Sequence, residues 1–185
     1  MNRILNLFTL ATLTIAALAH ADQVYLHEAD APRVIFPGSG SYERKLLRLS
    51  ETERAQLDKV LGKKTEARSY SYLEVRKDNT AVGLVLLLDV VGQSKPIDFA
   101  IGVTALGAIK GLEVLTYREP RGEEIHEPRF RRQFVGKRVE DPISLGRDID
   151  IISGATISCR STTYAARKAL ALADIVRHRA SPEAR

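Results

Sequence analysis

Tryptophan is absent, cysteine and methionine occur once each, and aromatic residues make up 6% of the 185-residue chain. The single cysteine, Cys159, cannot close an internal disulfide. Four scattered histidines give no Cys/His cluster of ligand spacing, so no metal site is expected. With no CxxC finger, no aromatic RNP strand and few aromatic platforms, nucleic acid is not an expected partner. No Ser/His/Asp or Cys/His arrangement is present either: His27, His126 and His178 lie far apart, so no catalytic residue is nominated. An excess of one charge is likewise missing, since 28 basic and 23 acidic residues leave only +5. The basic excess is confined to stretches such as Arg129, Arg131, Arg132, Lys137 and Arg138, which read as a solvated basic face. What remains, 44% hydrophobic and 28% charged, is enough chain for one packed domain with an extension and too little for two large ones.

The first 21 residues follow their own grammar. Arg3 supplies a positive start, Ile4 to Leu18 is largely apolar, and Ala19-His20-Ala21 is an A-x-A cleavage pattern. This predicts a secretory signal peptide, cleaved to leave Asp22 first, and a periplasmic protein. The alternative is an uncleaved anchor with inner-membrane association, although the apolar stretch is shorter than the ~20 residues a spanning helix needs. Loss of Arg3 would lower the formal charge from +5 to about +4. No cysteine stands near the boundary to carry a lipid. In an exported protein the thiol of Cys159 fits better as a small buried hydrophobe than as a reactive group.

Asp22 to Leu49 shows little periodicity and reads as an irregular lead-in, with a short strand near Val34 to Phe36. At Ser50 the pattern sharpens. Ser50-Glu51-Thr52-Glu53 is a capping box, Ala55, Leu57, Val60 and Leu61 supply helical contacts, and Gly62 suits the C-terminal position. Tyr70 to Val75 and Ala81 to Val91, separated by Lys77-Asp78-Asn79, predict a hairpin, and Ile97 to Val103 and Ile109 to Tyr117 predict two further strands in meander order. Arg118 to Glu124 is a loop, Phe130, Phe134 and Val135 suggest a short helix closed by Gly136, and Ser158 to about Arg177 is a long alanine-rich helix. The fold class is therefore α+β: an antiparallel meander sheet packed against a long C-terminal helix, with an N-terminal helical extension.

Chemistry concentrates just before that last helix, in Asp150-Ile151-Ile152-Ser153-Gly154-Ala155-Thr156-Ile157-Ser158. Small residues allow close approach to the backbone, and a helix start offers unpaired N–H donors and a positive dipole end, which suit a phosphate. The same residues also serve as a plain helix cap, and no Gly-rich nucleotide loop accompanies them.

This stretch resembles the D-x-x-[ST]-G-A-T-x-[ST] signature of the FMN-binding domain family, found in peripheral subunits of the sodium-pumping NADH:quinone reductase, in Rnf complexes and in related periplasmic flavoproteins. Phe99 to Gly102, Gly111 to Glu119 and Gln133 to Lys137 resemble that family's other segments in the same order. The resemblance covers about residues 92 to 176. Together with the leader and the elements read above, it divides the chain into a signal peptide (1–21), an N-terminal extension with one helix and a hairpin that does not carry the resemblance clearly (22–91), an FMN-binding domain (92–176) and a C-terminal tail (177–185). It further implies that Thr156 carries FMN through a phosphoester, attached from FAD by a separate flavin transferase that recognises Asp150. Ser153, Gly154, Ala155, Ile157 and Ser158 would surround the attachment point, and Glu119 and Gly122 would lie on the ring side. Pro120-Arg121-Gly122-Glu123 departs from the family's usual T-P-G-x-G, and Cys159 replaces a small hydroxyl residue. Lacking a nicotinamide fingerprint, such a domain implies an electron carrier working with a membrane-bound redox partner rather than a stand-alone enzyme. The alternative is an accessory or sensory flavin domain that regulates or assists a respiratory complex.

Overall fold

The computed structural model describes residues 22–180; the leader and cleavage site read at 1–21, and residues 181–185, lie outside the described part. Six antiparallel strands, β1 (Gln23–Val24), β2 (Ser41–Arg48), β3 (Ser69–Lys77), β4 (Thr80–Val91), β5 (Pro96–Thr104) and β6 (Ile109–Tyr117), form one sheet in the spatial order β1-β6-β5-β4-β3-β2. The four expected strands form its centre in meander order. Residue 92 falls in the turn between β4 and β5, so the hairpin β3–β4 and the strands after it share one hydrogen-bonded ladder.

Strand β4 is almost continuously apolar because both faces of the sheet are covered. Leu84, Leu86, Leu88 and Val90 point to the face under helix α4 (Thr156–Ala180), while Val85 points to the other. Helix α4 lies across β4 and β5, presenting Ala165, Ala166, Ala169, Leu170 and Ala173, and its many alanines let the helix sit close to the sheet. Cys159 is fully buried on this helix and packs as a small apolar residue.

Helix α2 (Glu51–Leu61) packs beside α4 through Leu57 and Leu61. Its capping box forms as its sequence demands: the Ser50 Oγ accepts from the Glu53 N–H at 3.3 Å and Glu53 accepts from the Ser50 N–H at 2.8 Å. Glu53 also accepts from the Arg179 Nε at 2.7 Å, which knits the start of α2 to the end of α4. The Arg179 guanidinium, helped by Ser50 and opposed by partial burial, pulls the Glu53 carboxyl down to about 2. A carboxylate with a lowered folded-state pKa stabilises the fold above its unfolded value near 4.5 and loses that contribution as pH falls toward 2. Melting temperature should therefore fall through this window, and Glu53→Gln should show a lower melt at pH 7 with a shallower acid decline; equal slopes in both proteins would refute the linkage.

Two features of the chain before Ser50 differ from expectation. Residues 31–35 are a helix, α1 (Ala31–Ile35), rather than a strand near Val34; Pro32 sits in the first turn, where its fixed φ and missing N–H are tolerated. Residues 41–48 are a strand rather than irregular. Strand β2 pairs with β3 over eight residues but buries only Leu47 fully, and carries a Lys45–Glu74 cross-strand ion pair at 2.8 Å, so it has the charged character of a protected sheet edge.

Helix α1 and Phe36 cover the reverse face against Val75, Val85, Ala100 and Leu115. They fit because glycines clear a recess in the sheet. A Cβ at Gly102 would stand 2.3 Å from the Ile35 Cγ2, and one at Gly83 would stand 2.6 Å from the Phe36 Cζ.

Candidate flavin site

The segment leading into α4 is built by turns. The Ala155 N–H donates to the Ile152 carbonyl at 3.1 Å, and Gly154 holds a φ of +84° in the left-handed region that favours glycine. The Cys159 N–H donates to the Ala155 carbonyl at 2.9 Å, so Ala155 is the cap residue and Thr156 the first helical one. Alanine has no side-chain acceptor, and among the described residues no side chain accepts from the N–H groups of Thr156, Ile157 or Ser158. The Thr156 hydroxyl also bonds no described residue. These donors stand at the positive end of a 25-residue helix.

The residues nominated from sequence divide into two groups. Thr156, Ser153, Gly154 and Ile157 lie at the surface around the helix start, with Asp150 exposed nearby. The Asp150 backbone N–H donates to the Gln133 Oε1 at 2.7 Å, fixing this loop to the segment formed by helix α3 (Pro128–Arg131) and the 3-10 turn after it. Ala155 and Ser158 turn inward. The Ser158 Oγ meets the Tyr117 hydroxyl at 2.7 Å, and Gly122 packs so closely on this pair that a Cβ would stand 2.3 Å from the Ser158 Oγ.

Glu119 is 4% exposed and faces the β4–β5 turn. Its carboxylate accepts from the Ser94 N–H at 2.6 Å, the Lys95 N–H at 2.8 Å and the Ser94 Oγ at 3.1 Å. Burial would raise its pKa, but these donors outweigh it and hold the carboxyl below its ordinary value. The carboxylate is thus engaged with the turn.

Thr156 opens onto a cleft of about 600 Å³. One wall is the face of α4 carrying Thr156, Arg160, Thr163, Tyr164 and Arg167, which succeed one another at helical spacing. The other wall is the loop 142–147 together with Ile151, and Glu119 and Gly122, expected on the ring side, line neither wall. That loop contains Ile143, buried at a φ of +41°, a conformation that a β-branched residue adopts only under constraint. Asp148 supplies the constraint: it accepts from the Ser144 N–H at 2.7 Å and the Ile143 N–H at 3.2 Å, and pairs with the Lys137 Nζ at 2.8 Å. Burial raises the Asp148 pKa, whereas Lys137 and the loop amides lower it by more, so this carboxyl stays ionised well into acid. A strained, pinned wall faces the threonine.

Sequence reading missed Arg147, Arg160, Tyr164, Arg167 and Asp148. Arg160 and Tyr164 were within reach, being four and eight residues beyond Thr156 on the same helix face, whereas the opposing loop is brought over only by the fold.

Comparison with known proteins bears on the family and the fold. The FMN-binding domain family matches residues 92–171. Among solved structures the chain is similar to NqrC of Shewanella oneidensis, at 17% identity and a TM-score of 0.55, covering 80% of this chain and 86% of that one. It also matches a component of the Na(+)-translocating NADH-quinone reductase of Parabacteroides distasonis, at 18% identity and a TM-score of 0.46, covering 70% and 77%. No curated protein matches. Residues 92–171 therefore match the FMN-binding domain family, and the chain's fold is similar to that of an NqrC.

Proposed function

We propose that this chain is an exported electron-transfer flavoprotein whose FMN is joined to Thr156 through a phosphoester. The observation that carries the reading is the pairing of an unbonded threonine hydroxyl and open helix N–H groups with a cleft containing three arginines and no carboxylate. The cleft lies within the 300–1,000 Å³ range of ordinary cofactor sites, and its polar groups match a ligand that has a phosphate at one end and a planar polar ring at the other. Bound flavin would supply the capacity to accept and pass on electrons.

The chain's own residues do the holding. The hydroxyl of Thr156 is the attachment point. The N–H groups of Thr156, Ile157 and Ser158 and the helix dipole favour the negative phosphodiester there. Pro142, Ile143, Leu145 and Ile151 supply apolar walls that exclude water from a ring, and the Asp148–Lys137 pair keeps the loop wall in place. Asp150, exposed and with no ion-pair partner among the described residues, is free to be read by a flavin transferase, which would break the FAD pyrophosphate, join the FMN phosphorus to the Thr156 oxygen and release AMP and the hydroxyl proton.

Export is supported by the leader-like character of residues 1–21, and a membrane redox partner by that leader together with the NqrC-like fold. No helix among the described residues is long and apolar enough to cross a membrane.

Co-expression with a flavin transferase tests the reading. Flavin fluorescence should survive denaturing electrophoresis, and mass spectrometry should place one FMN phosphoryl group on the peptide holding Ser153 to Ser158, at Thr156. Absence of attached flavin, or its location on Ser153 or Ser158, would overturn it.

A further inference from the structure

The cleft beside Thr156 differs in charge from four other cavities among the described residues. Those four, lined by Asp89 and Asp98, by Glu74, by Glu113, and by Glu124, Glu127 and Asp150, each carry at least one carboxylate. The cleft at Thr156 carries Arg147, Arg160 and Arg167 and none. The lining of this recess is therefore positive, with Asp58 the carboxylate that acts on Tyr164 at its α2 end.

The three guanidiniums are not equivalent. Arg167 donates to the Val60 carbonyl at the end of α2 and so is occupied in holding two helices together. Arg147 and Arg160 have no ion-pair partner among the described residues and stand on opposite walls, one on the pinned loop and one on α4. Arg160 lies one helical turn beyond Thr156. Lys63 sits 4.3 Å from the Tyr164 ring centroid and adds to the positive side of the same region.

Resting on the reading that FMN is attached at Thr156, we propose that Arg147 and Arg160 face the isoalloxazine ring and select its reduced, anionic form, thereby raising the flavin's reduction potential. An oxidised ring that takes up two electrons and one proton is left with one net negative charge, whereas the phosphodiester has the same charge before and after. A fixed cation near the ring therefore favours the reduced state specifically, and one near the phosphate favours both states equally. Arginine suits the task because its charge persists at every working pH and its planar fork lies flat along a ring edge.

The test is a spectroelectrochemical titration of the flavin-loaded protein, with dithionite supplying electrons through mediator dyes. If each arginine favours the reduced ring about tenfold, R147Q and R160Q should each lower the two-electron midpoint potential by about 30 mV, and the double variant by about 60 mV. R147K/R160K, which keeps both charges, should restore most of the shift. R147Q lies outside the stretch recognised during attachment, so it keeps the test open should R160Q load poorly. Unchanged potentials in variants that carry flavin on Thr156 would overturn the assignment while leaving the attachment standing. A wild-type protein without flavin on Thr156 would overturn both.

Discussion

Leu170→Asp should abolish the cooperative thermal transition of this domain. Leu170 is 2% exposed, at the middle of α4 where the helix crosses the sheet. A carboxylate there loses its water and gains no partner, and even its protonated form leaves a polar group without a hydrogen bond. The cost, several kcal/mol, is comparable with the ~5–15 kcal/mol that holds a domain of this size together. Leu170→Ala removes the same contacts without burying charge and should cost about 2–5 kcal/mol, giving a lowered but still sharp melt. Circular dichroism melts of the two variants beside the parent would show this order. A parental melting temperature for Leu170→Asp would mean that α4 turns a different face to the sheet.

The second large effect falls on the cofactor and spares the fold. Thr156→Ala should eliminate all covalently held flavin, since the attachment we propose needs the hydroxyl oxygen. Stability should change little, because Ala155 occupies the cap position and the Thr156 hydroxyl bonds nothing among the described residues; a shift within about 0.5 kcal/mol is the expectation for such a surface change. Thr156→Ser should retain part of the labelling, and Asp150→Ala should reduce it by weakening recognition by the transferase. In-gel fluorescence together with a thermal melt reads both quantities from one preparation. Covalent labelling that persists in Thr156→Ala would remove the threonine from the reaction.

These two predictions draw on parts of the molecule that differ in how far sequence alone discloses them. The long helix and the central meander are carried by local signals: apolar periodicity without Gly or Pro in α4, β-favouring runs divided by polar turns in β3 to β6, and a capping box at Ser50 that forms as written. Strand β2 escapes because its order comes from backbone pairing to β3 and its side chains are mostly charged, leaving no hydrophobic alternation to read. Helix α1 escapes because five residues containing a proline carry no periodic signal, and what they bury against lies far along the chain. At the site the split is similar. The helix start is a contiguous motif. The opposing wall depends on Asp148 holding Ile143 at a positive φ, a constraint that no local pattern announces. Glu119 is legible only as a loop acid, since its three donors come from a turn some 25 residues earlier.

The recess that receives Ile35 and Phe36 also sets an order of assembly. Its floor is Gly83 on β4 and Gly102 on β5, and it exists only once those strands are paired and the larger residues around the glycines are in place. Residues 31–36 leave the ribosome well before β4 and β5 do, yet have nowhere to dock until both are complete. Closing the intervening loop of some 47 to 67 residues costs entropy that only the finished sheet repays. A segment synthesised early is thus among the last to settle, and until it does the apolar reverse face of the sheet, with Val75, Val85 and Ala100 at its centre, is open to other chains.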